Sequence, residues 1–144
     1  QAALGLSQLL LLDEFVAKRK KLAQRYDQLL ADLPVQRPNI LSENQSSFQI
    51  YVIRLPTRNN PYRHRMVFEK LRESGIGVNL HYMPVHLQPD YRRLGFTEGT
   101  CPEAEAHGKE AISLPLHTSL SEVEQNRVVR ELCSILVSEN NLEA

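Results

Sequence analysis

Residues 1–12, Gln1-Ala2-Ala3-Leu4-Gly5-Leu6-Ser7-Gln8-Leu9-Leu10-Leu11-Leu12, are apolar on nearly every face of a helix rather than along one stripe. Such a helix is stable only when it is covered all round, so this segment constrains the fold more than any other. From Asp13 the pattern turns amphipathic, with Phe15, Leu22, Tyr26, Leu29, Leu30 and Leu33 at steps near three and four. One long helix is predicted to Leu33, where Pro34 ends it. Lys18, Arg19, Lys20 and Lys21 stand together, and a solvated helix face accounts for them better than a nucleic-acid patch. The chain starts at Gln1 with neither an initiator Met nor a helix cap, so it is expected to begin inside a helix of a longer protein.

The polar run from Pro34 to Ser47 reads as a loop. Phe48 to Leu55 follows with β-branched and aromatic enrichment, which predicts a strand closed by Pro56. Met66, Val67, Phe68 and Leu71 take helical spacing over Arg63 to Ser74, and Gly75 sits where a left-handed C-cap belongs. A second strand is expected at Val78 to Tyr82, a short helix at Pro102 to Glu110 and a third strand at Ala111 to Leu116. The final helix is expected to start from a Ser121 cap and to carry Val123, Val128, Leu132, Ile135 and Leu136. This order predicts an α+β fold: a small three-stranded mixed sheet covered by helices, behind a long N-terminal helix. The first two strands, joined through a helix, should run parallel, with the third inserted between them antiparallel. Gly75-Ile76-Gly77 follows a helix and precedes a strand, the reverse of a dinucleotide-binding fingerprint, so it reads as a turn.

At 144 residues and 42% hydrophobic content the chain suffices for one domain, residues 1–144, with a single core. Seventeen basic and seventeen acidic side chains cancel, which removes any overall pull toward nucleic acid or an anionic membrane. The longest apolar run, Leu9 to Leu12, is far below the roughly 20 residues a membrane helix needs. A cytoplasmic protein is expected. Cys101 and Cys133, the only two cysteines, form no CxxC pair and are read as reduced and structural.

Chemistry concentrates after the second strand. His81 and Tyr82 end it on opposite faces, Pro84 breaks the ladder, and His86 lies in the following loop. Strand ends are where a rigid sheet positions side chains that a ligand can still reach. Imidazole donates and accepts hydrogen bonds, while tyrosine offers an aromatic face and a hydroxyl; both suit a sugar ring. A loop histidine bonded within its own fold is the commoner situation. A metal site built from His81, His86, His117 and Cys101 is disfavoured because the spacings are not those of familiar ligand sets. A Cys101 nucleophile lacks an identifiable base. Arg92 and Arg93, after Tyr91, are outside candidates for a phosphate.

Five stretches carry a resemblance: Gln1 to Leu9; Leu12-Asp13-Glu14-Phe15; Tyr26 to Leu30; His81-Tyr82-Met83-Pro84-Val85-His86; and Ser113-Leu114-Pro115-Leu116-His117. Together they resemble the DegT family of nucleotide-sugar aminotransferases, with most likeness to members of pseudaminic acid type that act on UDP-linked 4-keto sugars. The resemblance implies the aspartate-aminotransferase fold, a homodimer, and pyridoxal phosphate as the cofactor of the full enzyme. It implies transfer of an amino group from glutamate to a keto sugar. This chain then corresponds to the small C-terminal domain, with the N-terminal cofactor domain absent.

None of Lys18, Lys20, Lys21, Lys70 and Lys109 stands in a sequence like the family's cofactor-lysine motif. No catalytic, cofactor-binding or metal-binding residue is therefore assigned, no cofactor is expected on the chain alone, and the isolated chain is expected to be inactive. The substrate-binding candidates are His81, Tyr82, His86 and Tyr91. Where many relatives place a histidine, this chain has Gln49, so the resemblance carries over no contact from the first strand. The alternative is a stand-alone domain that binds a small ligand or self-associates through the apolar N-terminal helix.

Overall fold

The computed structural model describes residues 2–56, 60 and 62–140. The N-terminal pattern forms two helices, α1 (Ala2–Leu9) and α2 (Leu12–Leu29), instead of one helix to Leu33. At their junction the Leu11 N–H donates to Gln8 O, three residues back, at 3.0 Å. The ladder thus tightens by a 3-10-type turn before Phe15 N–H bonds Leu11 O and α2 proceeds. At the other end Ala31 N–H turns back to Gln28 O at 3.3 Å and Leu33 N–H to Leu30 O at 3.2 Å, so α2 finishes before Pro34 can act.

The helix expected to be buried all round is not covered by the described residues. No residue of α1 is buried, Leu4, Leu6 and Leu9 are exposed, and Leu10 beside it is 85% exposed. The core closes instead over the face of α2 that carries Ala23 and Tyr26 and over Leu30 just beyond it.

Among the described residues the sheet has two strands where three were predicted. β1 (Tyr51–Arg54) and β2 (Ala111–Leu114) run antiparallel, with Tyr51 opposite Leu114 and Arg54 opposite Ala111. β1 starts later than its composition suggests because Phe48 has φ +47°, a left-handed conformation, and its N–H is held by Ser46 Oγ at 3.1 Å. Gln49 and Ile50 bend after it, and regular pairing begins at Tyr51. The expected strand over Val78 to Tyr82 is reduced to one antiparallel bridge, with Ser113 N–H donating to Asn79 O at 2.8 Å and Asn79 N–H to Ser113 O at 3.2 Å. Beyond it Pro84, which has no N–H, and a 3-10 turn at Val85–Leu87 draw the backbone off the sheet edge. On the opposite edge Gln36, inside the predicted loop, bridges Arg54. Arg54 also reaches across the sheet's end, donating to Glu110 Oε2 from Nη2 at 2.7 Å and from Nε at 3.1 Å.

The remaining helices are α3 (Arg63–Glu73), α4 (Pro89–Arg93), α5 (Pro102–Glu110) and α6 (Glu122–Asn140). α3 ends as expected: Gly75 takes φ +74° and Ile76 N–H closes on Leu71 O at 2.9 Å. α5 coincides with its predicted span, and α4 was not foreseen. The start of α6 is a capping box in which Ser121 Oγ accepts from Glu124 N–H at 3.2 Å while Glu124 Oε2 accepts from Ser121 N–H at 2.8 Å.

α3 packs on α6 and β2, α2 on α6, and α5 on β1. Tyr26, Tyr51, Ile53, Leu71, Ile112 and Leu132 fill the interior between them without exposure to solvent. Each such side chain contributes about 1.5–3 kcal/mol by leaving water. Buried Gln125 donates from Nε2 to Leu22 O at 2.8 Å and so fixes how α6 lies along α2. Among the described residues, no helix is long and apolar enough to cross a membrane.

Candidate functional site

Where the chain leaves Asn79, a cavity of about 360 Å³ opens between the sheet edge and α5. His81, Tyr82, Met83 and Pro84 form one wall, Glu105, Gly108 and Lys109 of α5 the other, and Arg92 and Glu98 also line it. His81 is half-buried and fixed from the sheet, its Nδ1 sharing a 2.7 Å hydrogen bond with Ser113 Oγ. Its ring meets the edge of Tyr82 at 4.7 Å between centroids and 82° between planes. Tyr82 is 73% exposed, leaving its hydroxyl and most of its ring accessible. The peptide joining them is cis. Alternation along a strand predicted opposite faces for these two residues, yet both line this one cavity because regular pairing has already ended at Asn79.

His86 is buried, and its side chain does not line the cavity. Its Nε2 lies 2.9 Å from Glu105 Oε1, and the same oxygen accepts from Gly99 N–H at 2.9 Å and from Cys101 N–H at 3.4 Å. The hydrogen bond from His86 above all, against the opposing effect of burial and with help from the two amides, holds the Glu105 carboxyl below the usual carboxylate range. Tyr91 lies on α4 with its ring against Phe96, centroids 6.0 Å apart, and does not reach the cavity. Arg92 does, its Nε donating to Leu87 O at 2.9 Å and its Nη2 standing 3.6 Å from Glu98. Arg93 is occupied by Asp90 at 2.9 Å, and Gln49 is exposed elsewhere.

Sequence reasoning missed Glu105 and Lys109. The available signal for Glu105 was an acidic residue in the first turn of a helix opened by Pro102, a place from which a carboxylate reaches back to the preceding amides. His117 lines a second cavity, with Glu124 and Arg127, and its Nδ1 shares a 3.1 Å bond with Ser119 Oγ. Among the described residues no group of three or more His, Cys, Asp or Glu side chains is placed to hold a metal ion. Cys101 and Cys133 are free thiols.

A phosphorylated pyridine cofactor needs a lysine, an acid for its ring nitrogen and a cradle of free amides for its phosphate. In this cavity the Gly99 and Cys101 amides at the start of α5 are already taken by Glu105, and Glu105 is itself engaged by His86. On α2, Lys18 is bound to Glu14 and Lys20 to Gln45 of the loop that follows the helix, and Lys21 and Lys70 do not line the cavity. Lys109 stands exposed at the rim. The described residues therefore do not assemble a cofactor cradle by themselves.

The chain belongs to the DegT/DnrJ/EryC1/StrS aminotransferase family, whose profile matches residues 1–133. It is 30% identical over 139 residues to the spore coat polysaccharide biosynthesis protein SpsC of Bacillus subtilis, covering 94% of this chain and 36% of SpsC. It superposes on the apo-form of the putative sugar aminotransferase Spr1654 from Streptococcus pneumoniae with a TM-score of 0.90 and 29% identity, over 99% of this chain and 36% of that one. PseC of Helicobacter pylori, an aminotransferase involved in the biosynthesis of pseudoaminic acid, superposes with a TM-score of 0.84 and 28% identity, over 96% of this chain and 37% of that one. The chain thus spans little more than a third of the length of these relatives. Members of the family bind pyridoxal phosphate, and Spr1654 has been solved in its PLP- and PMP-forms.

Proposed function

We propose that this chain is the substrate-side, C-terminal domain of a cytoplasmic, homodimeric, pyridoxal-phosphate-dependent aminotransferase that moves an amino group from glutamate to a nucleotide-linked keto sugar. One observation carries the reading: the His81–Tyr82 cavity lies in a chain that superposes almost entirely on a sugar aminotransferase while spanning only part of it. When bound, the cofactor supplies an electron sink for the transfer. This chain's own contribution is binding and orientation. The ring of Tyr82 offers an apolar face to a sugar, and His81, fixed at Nδ1 by Ser113, presents Nε2 to a hydroxyl or keto oxygen. Arg92 and Lys109 bring positive charge to the same cavity, which suits the phosphates of a nucleotide carrier. His86 and Tyr91 stand behind and beside the residues in contact.

The chain alone should be inactive, because its lysines are not placed around a cofactor cradle. Glutamate-dependent amination of a UDP-linked 4-keto sugar, followed by mass spectrometry, tests this with the isolated chain and with the complete polypeptide. Turnover by the complete polypeptide only is the expected result, and robust turnover by the isolated chain would overturn the claim of inactivity. The exposed leucines of α1 favour a second reading, self-association of a stand-alone domain. A monomeric mass in sedimentation at high concentration would remove it.

A further inference from the structure

The wall from His81 to His86 carries the exposed Tyr82 and Met83, yet it pairs with the sheet through a single bridge at Asn79. A segment with so little backbone bonding belongs to the easily opened part of a fold unless something else holds it. Three contacts do. At its start His81 is bonded to Ser113. In its middle Pro84 lies directly on α5, where a Cβ built on Gly108 would meet Pro84 Cδ at 2.8 Å and Cγ at 3.1 Å. At its end buried His86 is bonded to Glu105, one turn earlier on the same face of α5. The oxygen that receives His86 also receives the Gly99 and Cys101 amides, so one atom fastens the wall, the 97–101 turn and α5 together.

We propose that His86 is a positioning residue: it does not reach the cavity, but through Glu105, and together with the Pro84–Gly108 contact, it sets where His81 and Tyr82 stand. The effect on a ligand rests on the nucleotide-sugar reading above; the effect on the wall does not. Freed at His86, the wall keeps its anchor at His81 and loses the fixed end that aims Tyr82, and a shift of about 1 Å in a contacting group is enough to weaken a polar site severely. Gln at position 86 keeps a terminal N–H to donate to Glu105, whereas Ala leaves that carboxylate without its side-chain donor.

The test uses the complete polypeptide with UDP-N-acetylglucosamine and dTDP-glucose as probes in calorimetry, alongside the melting temperature of each variant. His86→Ala is expected to weaken probe binding about tenfold, with His86→Gln restoring most of it, as a preorganised site requires. Gly108→Ala, which pushes Pro84 from behind, is expected to weaken the same binding. A His86→Ala protein that melts lower but binds with unchanged affinity would overturn the proposal and leave His86 a packing residue. If the unaltered protein binds neither probe, the substrate reading is what fails. Amide hydrogen exchange at the bonded amides of Asn79, Leu87, Gln88 and Gly99 then decides the positioning role: faster exchange confined to these sites in His86→Ala supports it, and unchanged exchange overturns it.

Discussion

Tyr51 donates its phenolic hydrogen to Asp27 Oδ1 at 2.6 Å, fastening the first residue of β1 to the middle of the last turns of α2. The Tyr51 ring is fully buried and lies 5.0 Å from that of Tyr26, centroid to centroid, so the bond sits at the edge of the main apolar cluster. Tyr51→Phe keeps the ring and removes only the donor. It is expected to lower the unfolding free energy by about 1–2 kcal/mol, the usual worth of a hydrogen bond to a charged acceptor at a half-buried site. Urea titration with an unchanged m-value is the check.

The two tyrosines also govern the alkaline limit. Burial first, and then the hydrogen bond and charge of Asp27, raise the Tyr51 phenol far above its ordinary value; burial does the same for Tyr26, against a smaller opposing effect of Arg25. A raised folded value means that the contribution is fully present below the ordinary phenol pKa of about 10 and is lost as pH rises beyond it. Stability should therefore fall between about pH 10 and 12, and the fall should be shallower in Tyr51→Phe. Unfolding midpoints across that range, compared between the two proteins, measure it.

Acid acts through two carboxylates. Glu105 is held below the usual range chiefly by His86, and Glu124 chiefly by the Ser121 amide. A depressed folded value means that the contribution is present above the ordinary glutamate pKa of about 4.3 and is lost as pH falls through the folded value. Melting temperature should drop as pH falls below about 4, and drop less steeply in Glu105→Gln and Glu124→Gln. Equal slopes in all three proteins would contradict the assignment.

Leu132 is fully enclosed on α6 among residues of the central cluster. Truncating it to Ala removes apolar contact and leaves a void, at a cost of about 2–5 kcal/mol depending on how far the surroundings close. The outward-facing Val123 on the same helix, 77% exposed, should tolerate Ala within about 0.5 kcal/mol. Denaturant midpoints of the two variants compare them directly.

The helices were legible where the sequence punctuates them. Gly75 marked the end of α3, Pro102 the start of α5 and Ser121 the start of α6, because each residue does locally what a helix terminus needs. The break between α1 and α2 had no such marker: Leu10 and Leu11 are good helix formers, and a 3-10 turn asks for no special residue. The missing second strand was illegible for a different reason. Val78 to Tyr82 has the composition of a strand, but whether it pairs along its length depends on where Pro84 and Gly108 take the backbone, a contact between segments far apart in sequence. His81 and Tyr82 were singled out from their place before Pro84, and both line the cavity. His86 was grouped with them by proximity, but it is buried outside the cavity lining, held by Glu105, nineteen residues on. Of α1 the sequence showed the apolar character but not whether anything covers it.

Ser113, like Arg54, has a neighbour on each edge of its strand: Val52 on one side, Asn79 on the other. Its hydroxyl then reaches His81, so the residue that completes the sheet also sets the tilt of a cavity side chain. A change here cannot be confined to structure or to ligand. Ala would release the imidazole to rotate, and a larger residue would spread the two edges apart, altering the mouth of the cavity and the pairing together. Position 113 couples the pairing of the sheet edge to the shape of the cavity mouth, and variants that alter one through this site should be found to alter the other.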